Sequence, residues 1–376
     1  MGFLRFYLAL CVVIGHAGAR FPFIPHDGTQ AVQIFFMISG FYMALIMNEK
    51  YVSRRQFYAS RFLRIYVPYF IALAIVLLVS IGSRVFLGHW IGLDAYAHAF
   101  EHNGKTGVIL GALSSLTIFF QDVIMFLSQP VGASLRFTLD FSNDQFPLWH
   151  YLLIPQAWSV ALELSFYLMV PWLAKLSAPK LFGLLLCSVV ARVIGYEFLG
   201  LNTSPWIYRF FPFELALFLA GMLAYRFYSW GLAPLLMKER DYRIRTPILW
   251  VITIMMLVVH AVFFASLKTV LGFHYSYWVS YVIWPFIIAL LFLLSKADVV
   301  DRHVGELSYP IYLIHFVMNG LVWVSIWKCG ISIAALPKWI YPTTCALVSV
   351  VSSALVYVFV LIPFEKWRGA FSKRIA

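Results

Sequence analysis

The sequence predicts an all-α integral membrane protein, a bundle of about ten transmembrane helices with a re-entrant outer segment. Of the 376 residues, 62% are hydrophobic and only 12% are charged, whereas a soluble globular chain has roughly 25% charged residues. The apolar residues form long segments, and the basic residues collect in the short stretches between them. Both patterns are typical of a multi-pass membrane protein.

Ten apolar segments are long enough, at about 17 residues or more, to cross a hydrocarbon core of about 30 Å. In chain order the predicted spans lie near residues 4–20, 30–48, 65–86, 158–175, 181–199, 209–227, 247–267, 277–296, 309–327 and 339–362. No long soluble region or internal repeat separates them. We therefore expect residues 1–376 to form a single membrane domain.

The distribution of Lys and Arg predicts the orientation of the bundle. One set of loops, with the adjoining span ends, holds 19 of the 28 basic residues; the opposite set holds eight, and Arg192 lies within a span. The richer side faces the cytoplasm, so both termini are expected inside, in the inner (cytoplasmic) membrane. No cleavable signal peptide is expected. Because the net charge of +12 belongs to these loops, we expect the lipid bilayer and no nucleic acid as a partner.

One further apolar stretch, residues 107–127, is left over from this topology. A single extra crossing there would invert every later loop and destroy the charge bias. We therefore predict that it is a re-entrant or partly inserted segment on the outer side, which is tolerated where protein or a water-filled cavity surrounds it. The alternative is that 107–127 crosses fully and a second crossing lies within 128–150.

Ionisable residues inside apolar segments indicate a polar interior, because a charge at membrane depth usually faces a protein-lined cavity. Of these residues, Arg192, Glu214 and His260 fit no motif, and a structural salt bridge or helix packing is the favoured interpretation. The four cysteines have neither CxxC nor zinc-site spacing, so no disulfide framework and no metal site is expected.

The first span carries a pair of polar residues on one helical face. Arg5 and His16 are eleven residues apart, which places them within roughly 20° of each other and about 16 Å apart along the axis. An arginine is suited to holding phosphate, and a buried histidine can accept and return a proton near neutral pH. From the residues alone, a histidine within a span is more often a hydrogen-bonded packing residue, and the alignment with Arg5 changes this only modestly.

Two other motifs favour a functional cavity without requiring one. Arg61 and Arg64 are neighbours on one helical face at the inner membrane entry, where they could anchor the topology or clamp a pyrophosphate with two guanidinium forks. Ser159 and Glu163 are one turn apart in the fourth span, behind Trp158, which is expected to anchor at the outer interface. Glu163 must either pair with a neighbouring helix or line a cavity.

Together these residues resemble the integral membrane acyltransferase-3 family, the bacterial carbohydrate O-acyltransferases with a core of ten spans. The likeness covers essentially the whole chain and rests on five motifs in order: an Arg-X10-His pair at 5–16, Phe-Phe-Met-Ile-Ser-Gly-Phe at 35–41, Arg-X-X-Arg at 61–64, Trp-Ser-X-X-X-Glu…Phe-Tyr-Leu…Pro at 158–171, and Ser-Tyr…Tyr-Leu…His at 308–315. Two positions depart from the family pattern. Gln33 stands where an Asp is common, and the closing Ile-Glu-X-Pro appears only loosely at 363–367.

The resemblance implies a reaction in which an acyl group, usually acetyl, passes from cytoplasmic acyl-CoA to a sugar hydroxyl of a cell-surface or exported glycan. Acyl-CoA would be the donor substrate, and no metal would be needed. The resemblance implies roles for eight residues. The CoA phosphates would be bound by Arg5, Arg61 and Arg64, and His16 would act as general base or nucleophile. Glu163 would orient His16 or contact the sugar, and the cavity would be lined by Ser159, Tyr312 and His315. Trp149, Tyr151 and Trp206 in outer loops could stack on sugar rings, although interface anchoring is the simpler interpretation.

Two other classes of function stay open. A transporter or flippase of a lipid-linked sugar would also need a polar cavity through ten spans, but it would not need paired arginines beside a path to a buried histidine. A structural partner in a polysaccharide-synthesis complex, or a homo-oligomer, is also compatible with the sequence. Consumption of acyl-CoA by the purified protein separates these classes.

Overall fold

The computed structural model describes residues 1–18, 28–49, 53–97, 104–130, 132–236, 247–259 and 273–367. A helix occupies the described part of each of the ten predicted spans. These ten are α1 (Gly2–His16), α2 (Gly28–Glu49), α3 (Arg54–Gly82), α7 (Trp158–Leu173), α8 (Ala178–Phe198), α10 (Phe211–Phe227), α12 (Pro247–Val259), α13 (Phe273–Ser295), α15 (Ser308–Lys328) and α16 (Ile340–Val356). His260 and the predicted span residues 19–20 and 260–267 lie outside the described residues.

Shorter elements complete the described chain. They are α4 (Asp94–Ala97), α5 (Lys105–Thr117), α6 (Gln121–Ile124), α9 (Trp206–Arg209), α11 (Ala233–Leu236), α14 (Val299–Glu306), an antiparallel pair formed by β1 (Leu127–Ser128) and β2 (Arg136–Phe137), and π-helical turns at Ser83–Leu87, Tyr228–Leu232 and Tyr357–Leu361. The protein is thus an almost entirely helical chain, as predicted.

Six helical stretches are both long and apolar enough to cross a membrane, which confirms that this is a membrane protein. They are Gly28–Glu49, Arg54–Leu87, Ala178–Phe198, Trp206–Leu232, Val299–Lys328 and Ile340–Trp367. At 1.5 Å per residue, 18 or more residues give about 27 Å or more, close to the hydrocarbon thickness. Gly2–His16, Pro247–Val259 and Tyr281–Ser295 are shorter apolar helices.

Helices α2 and α10 cross at the centre of the bundle at unusually close range. A Cβ on Gly40 would lie 1.9 Å from the carbonyl oxygen of Phe218, and a Cβ on Gly221 would lie 1.9 Å from that of Met37. Small residues allow backbones to approach in this way, and membrane helices use them because packing is their main attraction. The glycine of the Phe-Phe-Met-Ile-Ser-Gly run is therefore explained by this crossing.

The start of α1 is fixed against α14, which determines the direction of the Arg5–His16 face. The carboxylate of Asp301 accepts hydrogen bonds from the backbone N–H groups of Gly2 and Phe3, at 2.7 and 2.9 Å. These donors have no intrahelical partner at a helix start, so an acceptor there stabilises the helix. Gly2 and Gly305 pack without side chains between them, since a Cβ on Gly305 would lie 2.5 Å from Gly2 Cα.

The leftover apolar segment is not one continuous helix. Helix α5 ends at Thr117, and Ile118 and Phe120 both have positive φ, +65° and +68°, which breaks the helical path. Thirteen residues of helix reach only about 20 Å. The beginning and end of the segment meet, because the N–H of Gly107 donates to Oε1 of Gln129 at 2.7 Å. The two ends of the segment therefore lie side by side in the structure.

The inner end of this segment reaches deep into the bundle. The hydroxyls of Tyr66 and Tyr69 on α3 donate to the carbonyl oxygens of Thr117 and Ser115. Both tyrosines lie only two to five residues beyond Arg64, and thus within about 8 Å of it along α3. Carbonyls freed at the helix break are satisfied by these hydroxyls, as required of irregular backbone at membrane depth.

Residues 132–150 form a small folded loop rather than a second crossing. Within this described stretch the elements are β2 and one short 3-10 turn, Leu148–Tyr151. Burial raises the pKa of the Asp144 carboxyl, but hydrogen bonds from the Phe146 N–H and the Ser128 hydroxyl, with the Arg136 guanidinium, hold it below its ordinary value. The alternative that placed a second crossing here has no helix to support it in these residues.

Arg192 and Glu214 form the buried structural salt bridge favoured by the sequence. Arg192 Nη1 lies 3.2 Å from Glu214 Oε1, and both side chains are almost fully buried. The amide of Gln33 donates to both oxygens of Glu214, at 3.1 and 3.0 Å. This contact gives a physical reason for Gln33, where the family commonly has Asp. An ionised Asp would face the Glu214 carboxylate without a proton to donate.

Candidate active site

Two histidines from distant parts of the chain meet inside the bundle. His16 is the last residue of α1, and His315 lies in the third turn of α15. His16 Nδ1 and His315 Nε2 are 3.0 Å apart, and the two rings stack with centroids 5.0 Å apart. His315 is fully buried, whereas His16 is exposed. The buried His315 therefore holds the exposed His16 in place.

The hydrogen bonds of His315 define the arrangement of protons in the pair. Its Nδ1 lies 2.7 Å from the carbonyl oxygen of Tyr312, and because a carbonyl can only accept, Nδ1 carries the hydrogen. In neutral His315, Nε2 is then an acceptor, so Nδ1–H of His16 donates to it. The His16 ring also contacts the backbone of Val12, and with its hydrogen on Nδ1 the lone pair of His16 lies on Nε2. An oriented imidazole of this kind is suited to general-base or nucleophilic chemistry.

Ser159 and Tyr312 bind each other and hold α15 against α7. Their hydroxyl oxygens are 2.7 Å apart, and the Tyr312 hydroxyl donates to the carbonyl of Gln156 at 2.8 Å. The amide of Gln156 in turn donates to the carbonyl of Leu313 at 2.6 Å. The predicted cavity-lining residues Ser159, Tyr312 and His315 are thus all buried. Their contacts position His16, and contact with a substrate remains a prediction.

Glu163 lies in a different hydrogen-bond cluster from His16. Its carboxylate accepts from the hydroxyl of Ser39 at 2.5 Å and from the hydroxyl of Tyr167, one turn further along α7. His315, and not Glu163, is the hydrogen-bond partner of His16 among the described residues. Among the described residues, no contact between Glu163 and His16 therefore supports the expectation that Glu163 orients His16. Ser39 and Tyr167 were present in the quoted motifs, but spacing alone gave them no role.

The three predicted phosphate-binding arginines gather at the end of the bundle where α1 begins. Arg5 and Arg64 both act electrostatically on the hydroxyl of Tyr42, and Arg61 and Arg64 both act on that of Tyr167. All three arginines are half-buried. Arg5 and Arg61 have no carboxylate partner among the described residues, and Nε of Arg61 is buried without a hydrogen-bond partner. Such a cluster of cations is a ready site for phosphate groups.

Arg64 differs from the other two because it is already paired. Its Nη2 donates to both carboxylate oxygens of Glu306, at 2.9 and 3.2 Å. Both side chains are about one third exposed, so the pair is worth little in net stability. A phosphate bound by Arg64 would compete with Glu306. This pairing joins α3 to the end of α14 and could not be predicted from spacing.

The polar residues form a column through the bundle rather than separate patches. Arg61 acts electrostatically on Tyr167, which donates to Glu163; Glu163 acts on Tyr312, which binds Ser159 and lies beside His315. Helix α1 runs beside it without a break from Arg5 to His16, a rise of about 16 Å. Among the described residues no group of three or more His, Cys, Asp or Glu side chains could hold a metal ion.

The aromatic residues near the outer end mostly serve packing. Trp158 is 5% exposed and stacks edge-on against Phe36 and Tyr208, so the prediction of an interface anchor is wrong for Trp158. Tyr151 is buried. Trp206 packs in a cluster with Phe126, Phe137, Phe210 and Phe213. Trp149 and Trp206 are both half-buried; Trp149 lies beside Phe141, and stacking of either residue on a sugar ring stays a prediction.

Comparison with known proteins gives one match. The model of the family known as acyltransferase-3, described as an acyltransferase domain, matches residues 1–361. No curated protein and no solved structure matches the chain.

Proposed function

The chain belongs to the acyltransferase-3 family, and on that premise we propose that it transfers an acetyl group from acetyl-CoA to a hydroxyl of a cell-surface or exported glycan. Membership and the apolar helices establish a membrane acyltransferase. The donor, the acceptor and a location in the inner membrane are the proposed parts. In this arrangement CoA binds at the cytoplasmic end, and the glycan approaches from the outer side.

The observation that carries the proposal is the exposed imidazole of His16, which is hydrogen-bonded to a buried histidine and connected to Arg5 by a single helix. Among the described residues this is the one histidine pair in hydrogen-bond contact. Its distance of about 16 Å from Arg5 along the helix suits a donor whose phosphates and reactive thioester lie far apart. The arginines would bind the phosphates, and the extended pantetheine arm would lie along the column.

The chemistry follows from the lone pair on His16. Nε2 takes the proton of the acceptor hydroxyl while the hydroxyl oxygen attacks the carbonyl carbon of the thioester. The tetrahedral intermediate then breaks its carbon–sulfur bond, and the CoA thiolate receives that proton from His16. In the alternative sequence Nε2 attacks the thioester first and carries the acetyl group to the hydroxyl. Both sequences end with the same ester and free CoA thiol.

Glu163 belongs to the donor side in this proposal. It lies in the column between the arginines and the histidines, bound to Ser39 and Tyr167. A carboxylate that accepts two hydroxyl hydrogen bonds still has acceptor capacity. It could therefore receive a hydrogen bond from an amide N–H of the pantetheine arm. This role replaces the expected contact with His16 and keeps Glu163 near the reacting atoms.

The proposed topology has ten spans, both termini in the cytoplasm, and residues 107–127 re-entering from the outer side. The meeting of Gly107 with Gln129 supports re-entry, because both ends of the segment must then lie on one face. The contacts of Tyr66 and Tyr69 with the tip of α5 support insertion to membrane depth. The segment would fill the part of the bundle that α7, which begins only at Trp158, leaves open.

The proposal is tested by release of free CoA thiol from the purified protein. With acetyl-CoA and a panel of glycans, we expect thiol release that requires an acceptor and is matched by ester formation. Acetyl-CoA incubated without acceptor is the control. A protein that moves a lipid-linked sugar across vesicles while releasing no thiol with any acceptor would be a flippase, and the proposal would be wrong.

A further inference from the structure

A fourth arginine, Arg209, lies at the outer end of the same column. It is the last residue of the short helix α9. Its guanidinium carbon lies 4.1 Å from the ring centroid of Tyr208 and 4.9 Å from those of Trp158 and Phe141. Three rings thus surround one cation. Cation–π contacts of this kind contribute about 0.5–2 kcal/mol each, and they fix the plane of the guanidinium.

Arg209 has no negative partner in the described part of the chain. Its Nη1 donates to the hydroxyl of Ser204 at 2.9 Å, and its other side-chain hydrogen bond is to the Tyr208 hydroxyl. Nε is buried and has no hydrogen-bond partner. By contrast, Arg64, Arg136 and Arg192 each contact a carboxylate. A charge that is partly removed from water is normally paired, and among the described residues no anion lies opposite the half-buried Arg209.

The location of Arg209 relates it to the reacting atoms. Its charge acts on both His16 and the Tyr312 hydroxyl. It also stacks on Trp158, the residue before Ser159. Arg209 therefore borders the histidine pair from the side opposite the inner arginines. Those arginines lie near Arg5, about 16 Å from His16 along α1, so the phosphates of a donor bound there are remote from Arg209.

We propose that Arg209 binds an anionic group of the acceptor, a carboxylate or a phosphate carried by the sugar, beside the hydroxyl that His16 deprotonates. This inference rests on the proposed acyl transfer and specifies its acceptor as an acidic glycan. The planar guanidinium fork matches a carboxylate or phosphate in two parallel hydrogen bonds. Phe141 is a half-buried apolar ring next to the cation, and it suits the ring of the same sugar.

The first test measures binding without chemistry. Purified protein in nanodiscs of phosphatidylcholine is titrated with glucuronate, glucose 6-phosphate and neutral glucose. We expect at least one anion to bind about tenfold or more tightly than glucose, and the stronger of the two identifies carboxylate or phosphate as the natural group. Arg209→Gln should lose this preference, and Arg209→Lys should retain only part of it because it keeps charge without the fork.

Arg136→Gln is the matched control, since Arg136 is an outer arginine that is paired with Asp144. It should keep the preference for anions. Equal binding of glucose and both anions by the unaltered protein would overturn the inference. Arg209-dependent stabilisation by phosphatidylglycerol, without any by the sugar anions, would also overturn it and assign the site to a lipid headgroup.

The second test separates this inference from the proposed function. Thiol release from acetyl-CoA is compared between glycans with and without acidic groups. Release that is equal for both classes, and equally reduced in Arg209→Gln, would overturn acceptor recognition but leave acyl transfer intact. Absence of release with every acceptor, together with Arg209-dependent anion binding, would overturn the proposed function and leave the anion site in place.

Discussion

His315 Nε2 lies 3.0 Å from His16 Nδ1, although the two residues are 299 positions apart and lie on different helices. The contact gives His16 a defined tautomer, because His315 is itself fixed by the Tyr312 carbonyl. His315 is fully buried and His16 is exposed. His315 is therefore a positioning residue, and His16 is the residue able to touch a substrate.

The first prediction concerns His315. His315→Ala should lower kcat by about 10²–10⁴, as expected when the partner that orients a general base is lost, with little change in acyl-CoA affinity. His315→Gln should recover part of the rate, since its amide oxygen can accept from His16 Nδ1–H. Steady-state kinetics with varied acetyl-CoA separate the two effects. Alanine at His89, which packs on Trp327 in an outer loop, is the control; an unchanged kcat in His315→Ala would refute the positioning role.

The second prediction concerns the inner arginines. Arg61→Ala with Arg64→Ala should weaken acyl-CoA binding, because charge-assisted hydrogen bonds to phosphate contribute about 1.5–3 kcal/mol each. Lys at either position should rescue binding only in part. Calorimetry with CoA measures the loss, with Arg55→Ala, an exposed neighbour, as the control. If the double variant binds CoA with unchanged affinity, Arg61 and Arg64 do not bind phosphate and serve only to orient the protein in the membrane.

The third prediction concerns the competition between Glu306 and phosphate for Arg64. Glu306→Gln removes the carboxylate that Arg64 contacts at 2.9 Å. A half-exposed ion pair contributes roughly 1 kcal/mol or less, so CoA should bind up to about fivefold more tightly. Thermal unfolding should change little for the same reason. Weaker CoA binding in this variant would mean that Glu306 supports the donor site instead of competing with it.

The fourth prediction concerns the re-entrant segment. Because Gln129 is buried, the exposed positions Lys105 and Ser134 are better probes of its two ends. In a background without native cysteines, Lys105→Cys and Ser134→Cys should both react with an impermeant thiol reagent from outside. Ser177→Cys, predicted to be cytoplasmic, should react only after permeabilisation. Reaction at just one of the two outer positions would exclude re-entry and the count of ten spans.

Several features were predictable because they depend on local spacing. The positions of the helices follow from apolar length, and the Arg5–His16 face follows from helical geometry within α1. The buried Arg192–Glu214 pair follows from the cost of a lone charge at membrane depth. In each case the physical constraint acts within one segment, or on a residue that must find some partner.

The remaining features depend on which helices become neighbours, and spacing carries no information about that. Pairing of His16 with His315, and of Arg64 with Glu306, joins residues hundreds of positions apart. The family resemblance implied that Glu163 orients His16 or contacts the sugar, yet its hydrogen-bond partners are Ser39 and Tyr167. Arg209 was counted only as an outer charge. Its signal in the sequence was an arginine directly after Trp206-Ile207-Tyr208.

The central claim is that His16 Nε2 performs the acyl transfer, and His16→Ala tests it most directly. Thiol release from saturating acetyl-CoA with an active acceptor is measured alongside CoA binding by calorimetry. We predict that the variant retains folding and CoA affinity but keeps no more than a few per cent of the transfer rate, in line with a general base worth about 10²–10⁴. A substantially active His16→Ala protein with normal CoA binding would contradict the assignment of His16 and the mechanism built on it.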